Sequence, residues 1–86
     1  MELSKKIKQI RNDNKLTQEQ FAEKMLVSRT AVSRWEHGTC YPSIDSLKYM
    51  SQIFNISLDK LLSSEEILEI AKIENQSNIS KYNRTY

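Results

Sequence analysis

The chain of 86 residues contains very little glycine, proline or cysteine, with one residue of each. An all-β fold needs many tight turns, for which glycine and proline are the usual residues, so their scarcity favours a helical chain. One cysteine cannot form an internal disulfide bond, which fits a reducing compartment, and we expect a cytoplasmic protein. A single glycine also excludes a glycine-rich phosphate-binding loop.

Long hydrophobic runs are missing as well. No apolar run approaches the length of about 18 residues that a membrane-spanning helix requires, and no apolar stretch follows the lysines at positions 5 and 6, as it does in a secretory signal. One histidine and one cysteine are too few for a zinc site, and no catalytic triad or carboxylate pair has supporting context. The sequence therefore predicts a protein that is not an enzyme and that has no metal, no cofactor and no membrane segment.

The net charge of +2 is unevenly distributed along the chain. Residues 1–62 hold ten basic and seven acidic side chains, whereas residues 63–86 hold three and four. A positive balance this small does not identify a nucleic-acid-binding protein, so the placement of the charges has to decide.

Apolar spacing and capping residues predict five short helices, which begin near positions 2, 17, 28, 43 and 57. The second begins at Thr17, which forms a capping box with Gln20. The third runs from its N-cap Ser28 to about His37 and ends at Gly38, the usual residue just beyond a helix C-terminus.

The chain continues past these five helices with two stretches of different character. Residues 63–74 are amphipathic and predict a sixth helix, which either packs on its own domain or forms a contact between two subunits. Residues 75–86 are polar, have almost no apolar content and predict a disordered tail.

The most informative segment is 17–38, where two short helices are separated by only two or three residues. This is the layout of a helix-turn-helix. In the DNA-binding versions of this motif, the second helix enters the major groove and its first turns contact base edges.

One side of this second helix is polar and free of acidic residues. At about 100° per residue, an arc of about 140° begins at Arg29 and ends at Arg34, with Thr30, Ser33 and His37 between them. Both arginines have the geometry for bidentate hydrogen bonds to guanine O6 and N7. The alternative is an ordinary amphipathic helix with a solvated face, although such faces usually mix charges of both signs.

Several runs of residues resemble the Cro/phage-repressor (xenobiotic-response-element) family of helix-turn-helix proteins. The likeness covers about residues 4–62, and its runs are LTQEQFAEKM at 16–25, VSR at 27–29, VSRWEHG at 32–38, YPS at 41–43 and NISLDKLL at 55–62. The resemblance implies an all-α, five-helix, lambda-repressor-like domain. It also implies a homodimer bound to a palindromic operator on double-stranded DNA.

The resemblance further implies which residues contact DNA. The residues that it places at the base-reading surface are Ser28, Arg29, Thr30, Ser33 and Arg34. The residues expected near phosphates are Gln18 at the start of the second helix, Thr39 and Tyr41 in the loop after the third, and two further candidates, Arg11 and His37. The loop offers hydroxyl groups where the family often has lysine or arginine, so hydroxyl groups and backbone amides have to make the phosphate contacts there.

Three other residues carry structural expectations. Arg11 and Glu36 are predicted to form an ion pair that ties the first helix to the end of the third, with a direct phosphate contact for Arg11 as the alternative. Leu26 lies in the turn where the family often has glycine or asparagine, so either its backbone is left-handed, at a cost of about 1 kcal/mol, or the turn differs. Trp35 is predicted to lie in the core rather than to stack on a base.

These observations predict a sequence-specific, double-stranded DNA-binding transcriptional regulator, acting as a dimeric repressor. The alternative is a protein-interaction module, or an antitoxin-like DNA-binding protein that binds a protein partner through its C-terminal segment. The salt dependence of binding distinguishes the protein-interaction module from a DNA-binding protein, because contacts with phosphates weaken steeply as the salt concentration rises.

Overall fold

The computed structural model describes residues 2–73, and all regular secondary structure among these residues is helical. The five helices that the sequence predicts are present, which confirms the all-α prediction: α1 Glu2–Asp13, α2 Gln18–Met25, α3 Arg29–His37, α4 Ile44–Ile53 and α5 Leu58–Leu61. A sixth helix, α6, occupies 64–73. The tail prediction for 75–86 lies outside the described residues. Within the described part, no helix has the length and apolarity needed to cross a membrane.

Side-chain caps fix the ends of these short helices. The Thr17 hydroxyl accepts a hydrogen bond from the Gln20 amide at 3.1 Å, and the Gln20 side-chain oxygen accepts one from the Thr17 amide at 2.9 Å, which confirms the capping box. Ser28 caps α3 by accepting from the Ala31 amide, and Gly38 ends it with φ 74° and ψ 18°. Such caps matter because helices of eight or nine residues are not stable alone in water.

The core is formed by residues from all six helices. The largest fully buried side chains include Phe21 of α2, and its ring stacks on Phe54 with 5.2 Å between the ring centroids. Val32 and Trp35 point into this core from α3, at 0% and 5% exposure, so the core prediction for Trp35 is confirmed. Because α3 buries this face, its opposite face is turned to solvent.

Helix α6 contacts the rest of the molecule through one face only. Ile70 belongs to the core and Glu66 is also buried, whereas Ile67 and Leu68 remain 44% and 63% exposed. The helix therefore packs on its own domain and still presents apolar surface to solvent.

The turn between α2 and α3 resolves the open question about Leu26. Its backbone is left-handed, with φ 58° and ψ 39°, so the first alternative is correct. The Leu26 amide donates to the Glu23 carbonyl and the Val27 amide to the Ala22 carbonyl, the two hydrogen bonds of a Schellman motif. The Leu26 side chain is 79% exposed, so little packing offsets the backbone strain.

Replacing Leu26 with asparagine should therefore stabilise the protein. Asparagine adopts the left-handed conformation more readily than leucine, as Asn55 does here with φ 54°, and the gain in unfolding free energy should be about 0.5–1 kcal/mol. Urea unfolding followed by Trp35 fluorescence measures it. Leu26→Ala is the matched control, because it removes the same exposed side chain but lacks the polar amide group through which asparagine favours the left-handed conformation. Equal stability of the two variants would contradict the strain at this position.

Candidate nucleic-acid interface

The outward face of α3 brings four of the predicted base-reading side chains together. Arg29, Thr30, Ser33 and Arg34 line one open concave surface, and no acidic side chain lines it. Arg29, Thr30 and Arg34 are exposed and Ser33 is half-buried. The two guanidinium groups give this surface a positive charge, and the hydroxyl groups add hydrogen-bond donors and acceptors.

Ser28 stands at the N-terminus of this face. Its hydroxyl oxygen accepts from the Ala31 amide at 3.1 Å, while its hydroxyl hydrogen is not needed for the cap. The first turn of α3 contains no acidic residue, so its free amides and the positive end of the helix dipole are not neutralised locally. The start of α3 is therefore the most favourable end of the helix for a negatively charged ligand.

Arg11 of α1 bonds to α3 and to the turn that precedes α2, and so forms the centre of a polar cluster. Its Nε and Nη2 atoms donate to Glu36 Oε2 and Oε1 at 2.7 and 3.1 Å, and its Nη1 donates to the Leu16 carbonyl at 3.0 Å. The predicted ion pair is thus confirmed, with 14% of the Arg11 side chain and 4% of the Glu36 side chain exposed. The hydrogen bond to Glu36 raises the pKa of the Arg11 guanidinium, outweighing the opposite effect of burial.

Gln18 belongs to the same cluster. Its side-chain Nε2 donates to Glu36 Oε1 at 3.2 Å, which holds the amide at the start of α2. The nitrogen of a glutamine side-chain amide carries two hydrogens, so this bond leaves one N–H group free to donate to another acceptor. Arg11 similarly uses three of its five N–H groups within the protein.

The imidazole of His37 is held by the helix that carries it. Its Nδ1 lies 2.7 Å from the Ser33 carbonyl oxygen and 3.4 Å from the Ser33 hydroxyl oxygen. In the tautomer with a hydrogen on Nδ1, the ring donates to the carbonyl oxygen, which can only accept. The ring itself is exposed to solvent, so Nε2 is accessible to a ligand.

The loop residues Thr39 and Tyr41 have different surroundings. Thr39 is exposed just beyond α3, and its amide donates to the Arg34 carbonyl. Tyr41 is half-buried beside α6, where burial, then the charges of Glu66 and Glu69, raise the pKa of its hydroxyl. Acidic neighbours repel a phosphate, which weighs against the phosphate contact predicted for Tyr41; that contact stays a prediction.

Glu66 is a buried residue that sequence analysis missed. Its Oε1 accepts from the Ser63 amide at 3.2 Å and its Oε2 from the Leu3 amide at 2.9 Å. Ser63 and Glu66 have the S-x-x-E spacing of a capping box, and this signal was available in the sequence. Its second bond, to α1, has no local signal. Within residues 2–73, no group of three or more histidine, cysteine, aspartate or glutamate side chains is placed to hold a metal ion.

The polar cluster yields a stability prediction. Glu36→Gln should lower the unfolding free energy by about 2 kcal/mol, because it weakens charge-assisted hydrogen bonds and leaves the Arg11 guanidinium without an opposite charge. Urea unfolding measures the change. Glu23→Gln is the control, since Glu23 is exposed on α2, and it should change stability by less than about 0.5 kcal/mol. Equal losses in the two variants would show that the Arg11–Glu36 pair contributes no net stability.

Comparison with known proteins agrees with this architecture. A family model described as helix-turn-helix matches residues 7–61. The HTH-type transcriptional activator BcrR of Enterococcus faecalis is 49% identical over the whole chain, which corresponds to 43% of that protein. Antitoxin PezA of Streptococcus pneumoniae is 37% identical over 84% of the chain and 50% of its own length. The immunity repressor protein of Bacillus phage phi105 is 30% identical over 94% of the chain and 56% of its own length.

The chain thus spans about half the length of these relatives. No solved structure gives a significant match. The family match covers more than half of the chain, and its bounds enclose α2, the strained turn at Leu26 and α3. The chain therefore belongs to the helix-turn-helix family of the Cro/phage-repressor type.

Proposed function

We propose that this protein is a sequence-specific DNA-binding transcriptional regulator that inserts α3 into the major groove. The observation that carries the proposal is the outward face of α3, where Arg29, Thr30, Ser33 and Arg34 form one surface without an acidic side chain. Val32 and Trp35 anchor the opposite face in the core. Arginine side chains on such a helix are suited to bidentate contacts with guanine.

Phosphate contacts in this proposal lie around the base-reading surface. Gln18 and Thr39 flank it, Arg11 has two N–H groups left, and His37 contributes its exposed ring. Gln18 is well placed because the first amides of α2 favour an anion at the same point. These contacts position the helix in the groove and do not distinguish one base pair from another.

The names of the relatives support regulation of transcription, by activation or by repression. One relative is named an activator and another an immunity repressor. Both kinds of regulator locate an operator through the same surface. We propose repression as the outcome, because occupying an operator needs no surface beyond α3 and its flanks. We also propose that the protein acts in the cytoplasm.

The proposed DNA-bound form is a homodimer on a palindromic operator. An apolar groove lies between α4, α5 and α6, and we propose that a second copy packs against it. The residues that line the groove are Ile44, Leu47, Leu58, Leu62, Ile67, Ile70 and Ala71. A two-fold axis brings identical apolar surfaces together, and the two α3 helices then read half-sites about 34 Å apart.

A second candidate function also uses exposed apolar side chains of α6. PezA is named an antitoxin, and Ile67 and Leu68 are available for a protein partner rather than a second copy. In this alternative the partner binds through apolar contacts, so its affinity changes little with salt concentration. Binding to duplex DNA, in contrast, weakens steeply with salt.

Selection of bound duplexes from a random pool at two salt concentrations tests base reading. Arg34→Ala should relax the preference at one position of each half-site and cost about 1–3 kcal/mol on the selected site. Gln18→Ala should weaken binding to all sequences about equally, because phosphates carry no sequence information.

Lys24→Ala is the control for loss of one exposed positive charge, since Lys24 lies on α2 outside the α3 surface. It should leave the preference intact. An Arg34→Ala variant that selects the same site with the same stringency as the wild type would contradict base reading by this arginine.

The dimer proposal is tested by introducing a charge into the groove. Ile67→Glu should shift the protein to monomer in sedimentation equilibrium, because a desolvated carboxylate without a partner is costly in an interface. Its affinity for a single half-site should remain. Lys72→Glu, on another side of α6, is the control and should leave the association state unchanged. A wild type that stays monomeric on its selected duplex would refute the dimer.

A further inference from the structure

Glu66 joins the N-termini of two helices through one buried carboxylate. Its Oε2 accepts from the Leu3 amide in the first turn of α1, at 2.9 Å. Its Oε1 accepts from the amide and the hydroxyl of Ser63, both at 3.2 Å, and the Ser63 hydroxyl oxygen accepts from the Glu66 amide in return. The residue is only 7% exposed.

No lysine or arginine among residues 2–73 pairs with this carboxylate. A buried charge without a cation is costly unless other groups stabilise it. Here the positive ends of the α1 and α6 dipoles replace the cation, and three N–H or O–H donors satisfy the oxygens. The arrangement therefore holds only while the two helix ends remain together.

Helix α1 carries this constraint to α3. The helix has 12 residues, so it is about 18 Å long. Leu3 near one end bonds to Glu66 of α6, and Arg11 near the other end bonds to Glu36 of α3. Both ends of α1 are thus held by a glutamate from a different helix, and Ile7 between them is fully buried.

We propose that Glu66 is a positioning residue, which fixes the direction of α6 relative to the recognition helix α3. Because α1 is bonded to both helices, α6 and α3 keep a fixed orientation relative to each other. In the dimer proposed above, on which this consequence rests, the direction of α6 then sets the distance between the two α3 helices. Glu66 thereby determines which spacing of half-sites the protein accepts.

The first test measures the orientation of α6 without DNA. Spin labels are attached at Cys40, which is naturally exposed beyond α3, and at Lys72→Cys on α6. Excess unlabelled protein is added, so that distances between labels on two different copies contribute little to the measurement. Glu66→Ala should broaden the distribution of the distance between the labels. It should also speed hydrogen exchange at the Leu3 amide about tenfold or more, because the amide loses its acceptor.

Glu69→Ala is the matched control, since Glu69 is an exposed glutamate on the same helix, and it should change neither quantity. If the Glu66→Ala variant does not fold, as shown by the loss of its cooperative unfolding transition, the Glu66→Gln variant is used in its place. The glutamine variant retains an oxygen acceptor for one helix end and loses the other, so it should broaden the distribution less. A folded Glu66 variant that keeps a narrow distribution of label distances and slow hydrogen exchange at the Leu3 amide overturns the proposal.

The second test concerns the half-site spacing. Duplexes with the selected half-sites at a series of separations should bind the wild type with one preferred spacing, and Glu66→Ala should bind several spacings within a few-fold of one another. An equally sharp spacing preference in Glu66→Ala overturns the role in spacing. A monomeric wild type would instead refute the dimer, while the spin-label result would still decide whether Glu66 fixes α6.

Discussion

The burial of Val32 and Trp35 is the constraint on which the rest of the structure depends. Helix α3 has nine residues and is too short to hold its own conformation in water. These two side chains, at 0% and 5% exposure, determine both that the helix exists and which of its faces meets solvent. The polar face with Arg29 and Arg34 is the geometric consequence. A rotation of α3 by one residue would expose apolar surface and bury a guanidinium.

Polar contacts then refine what the core determines. Glu36, near the end of α3, accepts hydrogen bonds from Arg11 and Gln18. The residue that ties α3 to α1 therefore also orients Gln18, which is proposed to contact a phosphate. Glu66 acts similarly at the opposite end of α1. Each carboxylate is nearly or fully buried and has its oxygens satisfied, and this fits residues that specify geometry as well as stability.

Local features of the sequence predicted most of the fold. The Thr17–Gln20 capping box, the Ser28 cap and Gly38 are signals confined to a few neighbouring residues, and the structure contains all of them. The sequence left two alternatives for the Leu26 backbone, because the neighbouring residues alone do not decide whether a leucine in a turn accepts left-handed strain. Within the candidate site, periodicity alone was sufficient to place the four side chains of the α3 surface on one face.

Features that depend on distant parts of the chain were not predictable in this way. The bond from the Leu3 amide to Glu66 joins residues 63 positions apart, and no periodic pattern encodes it. Tyr41 was expected near phosphates because the resemblance places its loop there, but the sequence did not indicate that α6 brings Glu66 and Glu69 beside it. The donor state of His37 Nδ1 likewise depends on the orientation of its ring toward the Ser33 carbonyl.

The central claim is that α3 presents a surface that contacts base edges. The most direct measurement is a titration of isotopically labelled protein with its selected duplex, followed by side-chain and amide chemical shifts. The account predicts the largest changes at Arg29, Thr30, Ser33 and Arg34, with smaller changes at Gln18 and Thr39. Changes confined to α6 and its groove, with the α3 signals unmoved, would contradict it.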